Sequence, residues 1–298
     1  MVRQYKIHTN LDGNDNIIFD VTNGKLRFYA PSNLGVVITN NIWSANGIGV
    51  KGGSNIAQPD ITFGVETFGD NLSENYELLT NFIQCILKEN FVTLEYTTEN
   101  FTVYADLALS EQTKTEGYGR NGTFSETITF QPITKWYTFE KLSFSTMENG
   151  DFNEEYSKIH ATGRYVYSDK PSYTYFGETN VQRFSKWVIE DGIFSFVARL
   201  TPANPAPSDK KFGLRFLDRD FNEYTAIVLD MEVVPTNVQF NTDVNDEYYN
   251  AVIGSNVVNQ FSNLDFSRFR TREFVQGTME LIGVGEVEMS VKKKVDFI

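Results

Sequence analysis

The sequence predicts a mainly β protein of two domains, and three observations carry that expectation. Apolar and polar residues alternate with a period of two along most of the chain, the pattern of strands with one buried face. Gly, Asn and Pro clusters punctuate these runs, as turns and loops between strands would. The 298 residues, 41% hydrophobic and 22% charged, are globular in composition and long enough for two domains that each bury a core.

The elements follow in order. Ile17-Ile18-Phe19 and Leu26-Arg27-Phe28-Tyr29 flank Asn23-Gly24, a dipeptide that tolerates positive φ at both positions and so predicts a hairpin. The stretches Gly47 to Asn55 and Gly117 to Gly122 predict longer loops. Ile61, Phe63 and Val65 alternate with Thr62, Gly64 and Glu66, and Val92, Leu94 and Tyr96 with Thr93 and Glu95. Phe124, Ile128 and Phe130 repeat the rule around Ser125 and Thr129. One segment departs from it. From Leu72 to Leu87 the apolar residues (Leu72, Tyr76, Leu79, Phe82-Ile83 and Ile86-Leu87) recur three and four apart, which predicts an amphipathic helix. Asn71 caps it, and Glu74 three residues later completes a capping box. Cys85 reads as a small core residue of that helix.

After Gly150, Arg164-Tyr165-Val166-Tyr167 and Ser172-Tyr173-Thr174-Tyr175-Phe176 are joined by Ser168-Asp169-Lys170-Pro171. Paired as a hairpin, they set Tyr165 and Tyr167 on one face of a strand and Tyr173 and Tyr175 on one face of the next. Such tyrosines line a buried sheet of their own domain or grip a partner, since Tyr joins apolar area to a water-tolerant hydroxyl. Strand-like runs at 184–189, 193–200, 212–217, 223–234 and 271–281, with a Pro-rich loop at 202–207, predict a β-sandwich for the second half. Met289, Val291, Val295 and Phe297 alternate as a last strand.

Chemistry is sparse. There are 25 Phe and 15 Tyr against 2 His and 1 Cys, so the residues that move protons or hold soft metals are nearly missing. One Cys precludes an intrachain disulfide and a multi-thiolate zinc site. No G-x-S-x-G elbow, HExxH helix or phosphate-cradling glycine loop is present, and no carboxylate pair stands out for glycoside hydrolysis. Gly117-Tyr118-Gly119-Arg120-Asn121-Gly122 looks like a dinucleotide fingerprint but precedes a strand, so no cofactor is expected. Asp243-Val244-Asn245-Asp246-Glu247 groups oxygen ligands as calcium requires without the spacing of an EF-hand, and a plain polar turn is the expectation. Trp136 and Trp187 would serve as sugar platforms or as core anchors. With 39 acidic residues against 26 basic ones, a net charge of −13, the chain is ill suited to phosphate backbones. Lys292-Lys293-Lys294 reads as a strand edge or solvated face. No apolar run approaches the roughly 20 residues of a membrane span, and the start lacks a signal-peptide apolar region. The chain is therefore expected to be made in a cytoplasm and not threaded through a membrane.

Specific stretches carry a family resemblance. Met1 to Asn10, Asp20-Val21-Thr22-Asn23-Gly24-Lys25 and Tyr29-Ala30-Pro31-Ser32-Asn33-Leu34-Gly35 closely resemble the distal tail proteins (Dit) of lactococcal siphophages. Phe91 to Tyr96, Thr113 to Gly119, Ile133 to Tyr137 and Asn241 to Glu247 agree, and the likeness runs to Asp296-Phe297. The resemblance implies a structural virion protein and not an enzyme, with no catalytic residues, cofactor or metal. It implies a homo-hexameric ring at the distal tail or baseplate, made in the bacterial host cytoplasm. A belt domain (1–133 plus 282–298) would join the tail tube protein to the tail-associated lysin or tip protein. A galectin-like β-sandwich (134–281) would carry an arm and hand at about 145–190. By the same resemblance the hand holds receptor-binding protein trimers, through Tyr165, Tyr167, Tyr173, Tyr175 and Phe176. The genome would pass through the lumen without specific nucleic-acid binding, and no membrane insertion is implied. A carbohydrate-binding adhesion module is the alternative, and a cell-wall hydrolase a third reading.

Overall fold

A computed structural model describes residues 3–11, 15–113, 126–143, 192–270 and 274–295, and the backbone alone of 125, 144–145, 147–148, 151–152, 159–161, 164–165, 174–175 and 181–189. The chain divides into two units, Met1–Thr138 with Lys294–Ile298, and Phe139–Lys293.

The strands of the first unit are β1 (Gln4–His8), β2 (Ile18–Asp20), β3 (Leu26–Ser32), β4 (Val37–Ala45), β5 (Ile48–Ala57), β6 (Ile61–Thr67), β7 (Val92–Thr97), β8 (Thr102–Gln112) and β9 (Ser125–Pro132), with helix α1 (Leu72–Ile86) between β6 and β7. Seven of them pair antiparallel in the order β2-β1-β7-β8-β9-β6-β3. β8 serves two neighbours in turn. Thr102 to Leu107 pair with β7, and Leu107 to Gln112 with β9, where the register shifts between Leu109 and Glu111, the kind of irregularity that bends a strand round a core. Alternation then does what the sequence predicts: Ile61, Phe63 and Val65, Leu94 and Tyr96, and Ile128 and Phe130 enter one core. Aromatic rings fill it, Tyr5 stacked on Tyr96 at 5.1 Å and Phe28 edge-on to Phe82 at 5.6 Å. Each such pair adds about 0.5–1.5 kcal/mol beyond the area it buries.

Helix α1 begins where expected. The Asn71 Oδ1 accepts the Glu74 N–H at 3.0 Å, while the Glu74 carboxylate reaches back to the Asp70 N–H at 2.6 Å, one residue before the cap. Phe82 and Ile86 are buried. Cys85 is half-buried and outside the core cluster, which corrects the sequence reading: its neighbour Ile86 occupies the inward position.

Two turn expectations are exchanged. Asn23-Gly24 does not close a hairpin, because β2 pairs with β1 and β3 with β6. Asp20 Oδ1 instead accepts the N–H groups of Thr22 and Asn23, and Gly24 is needed because a Cβ there would lie 2.4 Å from the Asp20 carbonyl. The hairpin turn is Asn46-Gly47, at φ 54° and 78°, at the start of the stretch 47–55 read as a loop. It joins β4 to β5, which pair only with each other.

The second unit starts within β10 (Tyr137–Ser145). It continues through β11 (Met147–Glu148), β12 (Asp151–Phe152), β13 (Ile159–Ala161), β14 (Arg164–Tyr165), β15 (Thr174–Tyr175), β16 (Val181–Ile189), β17 (Ile193–Pro202) and β18 (Lys211–Leu217). The remainder is β19 (Glu223–Asp230), β20 (Asn237–Asn241), β21 (Tyr248–Ile253), β22 (Asn256–Asn259), β23 (Gly277–Ile282) and β24 (Val284–Lys294). Two sheets, β10-β24-β17-β20-β21-β22 and β16-β23-β18-β19, enclose a core that includes Phe196, Leu214, Phe216, Phe240, Met279 and Met289. The chain crosses from one sheet to the other through a single residue, Gly283. Its φ is +66°, and a Cβ would sit 2.1 Å from the Lys211 carbonyl oxygen. The expected return of residues 282–298 to the first domain is not what the pairing gives. β24 pairs with β17 from Val284 to Lys293 and drives Val287, Met289 and Val291 into the second core. Only Lys294–Ile298 group with the first unit.

Candidate assembly surfaces

The β4–β5 ribbon is the least self-contained part of the described chain. Of its nineteen strand positions only Ile56 is even half-buried. Trp43 is 71% exposed, Ile48 70% and Val50 65%. The register places Trp43 opposite Val50 and Ala45 opposite Ile48, so alternate positions put these four side chains on one face near the tip. Trp43 Nε1–H donates to Asn41 Oδ1 at 2.8 Å, which orients the indole. Lys51 is the one ionisable residue between 37 and 57. A lone two-stranded ribbon is marginal in water, and exposed apolar side chains on unpaired edges invite association. Nothing in the sequence opposes it except Lys51.

A second apolar surface lies on α1. Leu72, Tyr76 and Leu87 of the predicted buried stripe are exposed, Tyr76 at 56%, while Leu79 and Ile83 pack only partly against the core. Beside them runs a groove of about 190 Å³ lined by Tyr76, Leu79, Thr80 and Ile83, with Gln112 of β8 and Glu126 of β9. The three-and-four spacing located this stripe, but half of it faces away from its own core.

The tyrosine strands do not form the expected hairpin. β13 lies between them, antiparallel to β14 and parallel to β15, with His160 in register with both Tyr165 and Tyr175. Ile159–Ala161 carried no alternation that would have announced it. Tyr167, Tyr173 and Phe176 lie outside the described residues, as do the Gly117 to Gly122 stretch and Trp187's side chain. Trp136 is fully buried, its Nε1–H donating to the Leu34 carbonyl at 2.9 Å, so it is a core anchor and not a sugar platform.

The acidic turn after β20 is organised by a lysine. Lys292 Nζ meets Asp243 Oδ2 at 2.7 Å, both side chains nearly buried, and Asp243 Oδ1 accepts the Asn245 N–H at 3.0 Å. This corrects the reading of the lysine run. Lys292 is internal to a strand flanked on both sides, and of the three only Lys294 is exposed. Its ammonium supplies the positive charge a cation would bring. Among the described residues no group of His, Cys, Asp and Glu could hold a metal ion, and no helix is long and apolar enough to cross a membrane.

In the first unit His8 is buried, with Nε2 2.9 Å from Glu95 Oε2 and Nδ1 facing the Asn16 amide at 3.0 Å. Burial lowers its pKa below the usual histidine value, against the pull of Glu95. Burial also opposes the Glu95 charge, but hydrogen bonds from Lys6 and His8 outweigh it and hold the carboxyl below its ordinary range. The pair is thus a neutral imidazole beside a carboxylate, and its partners are structural.

Comparison with known proteins gives the family to which these surfaces belong. Residues 4–133 match the family model for the distal tail protein N-terminal domain, and residues 135–298 that for the Dit C-terminal domain. The chain is 54% identical over 301 residues to the distal tail proteins of Lactococcus phages SK1 and p2, covering 100% of both chains in each case. Among solved structures it resembles a chain of the phage P2 baseplate in its activated conformation with Ca, at 53% identity and TM-score 0.82 over the full length of both. SPP1 Dit, at 9% identity and TM-score 0.52, shares the fold. Two β units with exposed apolar surfaces and these relatives define a structural protein of a phage tail. The chain belongs to the distal tail protein family, across both of that family's domains.

Proposed function

We propose that the chain forms a ring of six copies at the distal end of a siphophage tail, a baseplate hub that joins the tail tube to the tail tip. The β4–β5 ribbon is the observation that carries this reading. A surface so apolar and so poorly covered in one copy is suited to burial against another chain, and a closed ring of identical subunits is built from head-to-tail contacts of this kind. The described residues present no catalytic constellation, which a hub does not require. In this reading the segment at about 145–190 is an arm and hand that holds receptor-binding proteins, with Tyr165, Tyr167, Tyr173, Tyr175 and Phe176 at the contact. A likeness to a chain of the phage P2 baseplate supports tail-associated partners. The net charge of −13 suits a ring whose lumen lets a genome pass unbound.

The test is the solution mass of the purified chain by light scattering, followed by negative-stain imaging. Six copies of a 34.0 kDa chain give a ring of roughly 200 kDa. A chain that stays monomeric at every concentration, and also when the neighbouring tail proteins are added, refutes the ring.

A further inference from the structure

We propose that Asn46, at the tip of the β4–β5 ribbon, is a site of spontaneous deamidation, and that the fold protects the other described Asn-Gly pair from the same reaction. The Gly47 backbone nitrogen gives its proton to hydroxide and bonds to the Asn46 Cγ. The Cγ–Nδ2 bond then breaks, and ammonia leaves with a proton taken from water. The five-membered imide that results takes up one water. Opening at Cγ gives aspartate, and opening at the Asn46 main-chain carbonyl gives isoaspartate. The net change is one water in and one ammonia out, with no oxidant or cofactor. A following glycine favours the attack because it has no side chain to shield the nitrogen, and the surrounding structure then decides which pair reacts.

Asn-Gly occurs at 23–24, 46–47, 121–122 and 149–150, and the first two pairs lie among the described residues. Asp20 locks the pair at Asn23. Its carboxylate accepts the Asn23 N–H at 2.9 Å and a hydrogen bond from the Asn23 side chain. Its carbonyl accepts the Gly24 N–H at 3.1 Å and lies so close that a Cβ at Gly24 would sit 2.4 Å from it. Attack there needs the Asn23 amide turned away from Asp20 and the Gly24 nitrogen stripped of its partner. Asn46 has none of these restraints. Among the described residues no hydrogen bond holds its side chain or the Gly47 N–H. Both residues are exposed, and a Cβ at Gly47 would meet nothing within 4 Å. The turn is held only by two strands that pair with each other and with nothing else, and a lone ribbon opens at little cost. The peptide between Asn46 and Gly47 can therefore rotate into the geometry of attack.

Either product alters the ribbon. Aspartate puts a carboxylate beside the apolar face of Trp43, Ala45, Ile48 and Val50, where Lys51 is otherwise the one ionisable residue between 37 and 57. Isoaspartate adds a methylene to the main chain of a two-residue turn, and the pairing of Ala45 with Ile48 depends on that loop length.

The experiment ages the full chain in mildly alkaline buffer, with mildly acidic buffer as control, and follows the peptides that contain Asn23 and Asn46 by chromatography and mass spectrometry. In the folded chain Asn46 is expected to convert at least about tenfold faster than Asn23, and faster in the alkaline buffer. In urea the two pairs are expected to convert at similar rates, which assigns the difference to the fold. Asp20→Ala, at an exposed position, is expected to speed conversion at Asn23 and leave Asn46 unchanged. Equal rates at the two pairs in the folded chain, or an Asn46 that stays intact there while the unfolded chain converts, overturn the proposal. An Asp20→Ala chain whose Asn23 reacts no faster overturns the protection assigned to Asp20.

Discussion

Replacing Lys292 by Met removes the ammonium from a nearly closed site while keeping most of the side chain's apolar stem. Asp243 then keeps the Asn245 N–H on Oδ1 but loses the 2.7 Å partner on Oδ2. Removing one member of a buried pair costs about 3–5 kcal/mol, because the other charge is left uncompensated. The low end applies here: one carboxylate oxygen stays bonded, and Val244, Asn245 and Asp246 of the same turn are exposed, so water can approach. For a domain of this size each kcal/mol moves the midpoint by about 2–4 °C, giving a fall of roughly 6–12 °C for about 3 kcal/mol. The assay is thermal and urea unfolding of the wild type, Lys292→Met, Asp243→Asn and the double variant. A coupling energy of at least about 2 kcal/mol is expected from the cycle. Lys294→Met, at the exposed end of the run, should cost no more than about 1 kcal/mol. Equal losses for Lys292→Met and Lys294→Met, with coupling near zero, would refute the buried-pair reasoning. Calcium should leave the wild-type midpoint unchanged, since the ammonium already balances Asp243.

Three further outcomes follow from the same structure. Asn71→Ala removes the oxygen that accepts the Glu74 N–H and should cost about 1 kcal/mol, with Asn71→Ser restoring most of it. Gly283→Ala combines a left-handed backbone with a Cβ 2.1 Å from the Lys211 carbonyl; about 3 kcal/mol or more of destabilisation is expected, visible as a lower midpoint or loss of soluble protein. Acid should weaken the first unit in two stages. The unfolded chain protonates histidine near pH 6.5, whereas burial holds folded His8 below that value, so stability falls as pH drops below about 6.5 and until the folded value is reached. Glu95, held low by Lys6 and His8, adds stability above the unfolded carboxyl range that is lost as pH falls through its folded value. Unfolding midpoints at pH 7.5 and 5.5 test the first stage, and His8→Asn should shrink the difference between them; an equal difference in that variant would dismiss His8 as its source.

What could be read from the chain is what it satisfies within itself. Ile61, Phe63 and Val65 announced their strand because each buries its alternate side chain in the same unit. Asn71 announced α1 because its partner is three residues away. Lys292 misled because its burial depends on Asp243, 49 positions earlier, and composition carries no trace of that pairing. β24 misled about its domain for a like reason: alternation shows that a strand has a buried face and not which core receives it. The ribbon is the most instructive failure. Residues 47–55 read as a loop because no period-two burial is written into them, and none is needed when neither face packs on the first unit. The α1 stripe fails in the opposite sense, with more apolar positions than its own core covers. A missing pattern in one segment and a surplus in another have one origin, apolar residues that their own unit does not bury. The errors of single-chain reading therefore fall on the ribbon and the helix, the two apolar surfaces that the first unit leaves exposed.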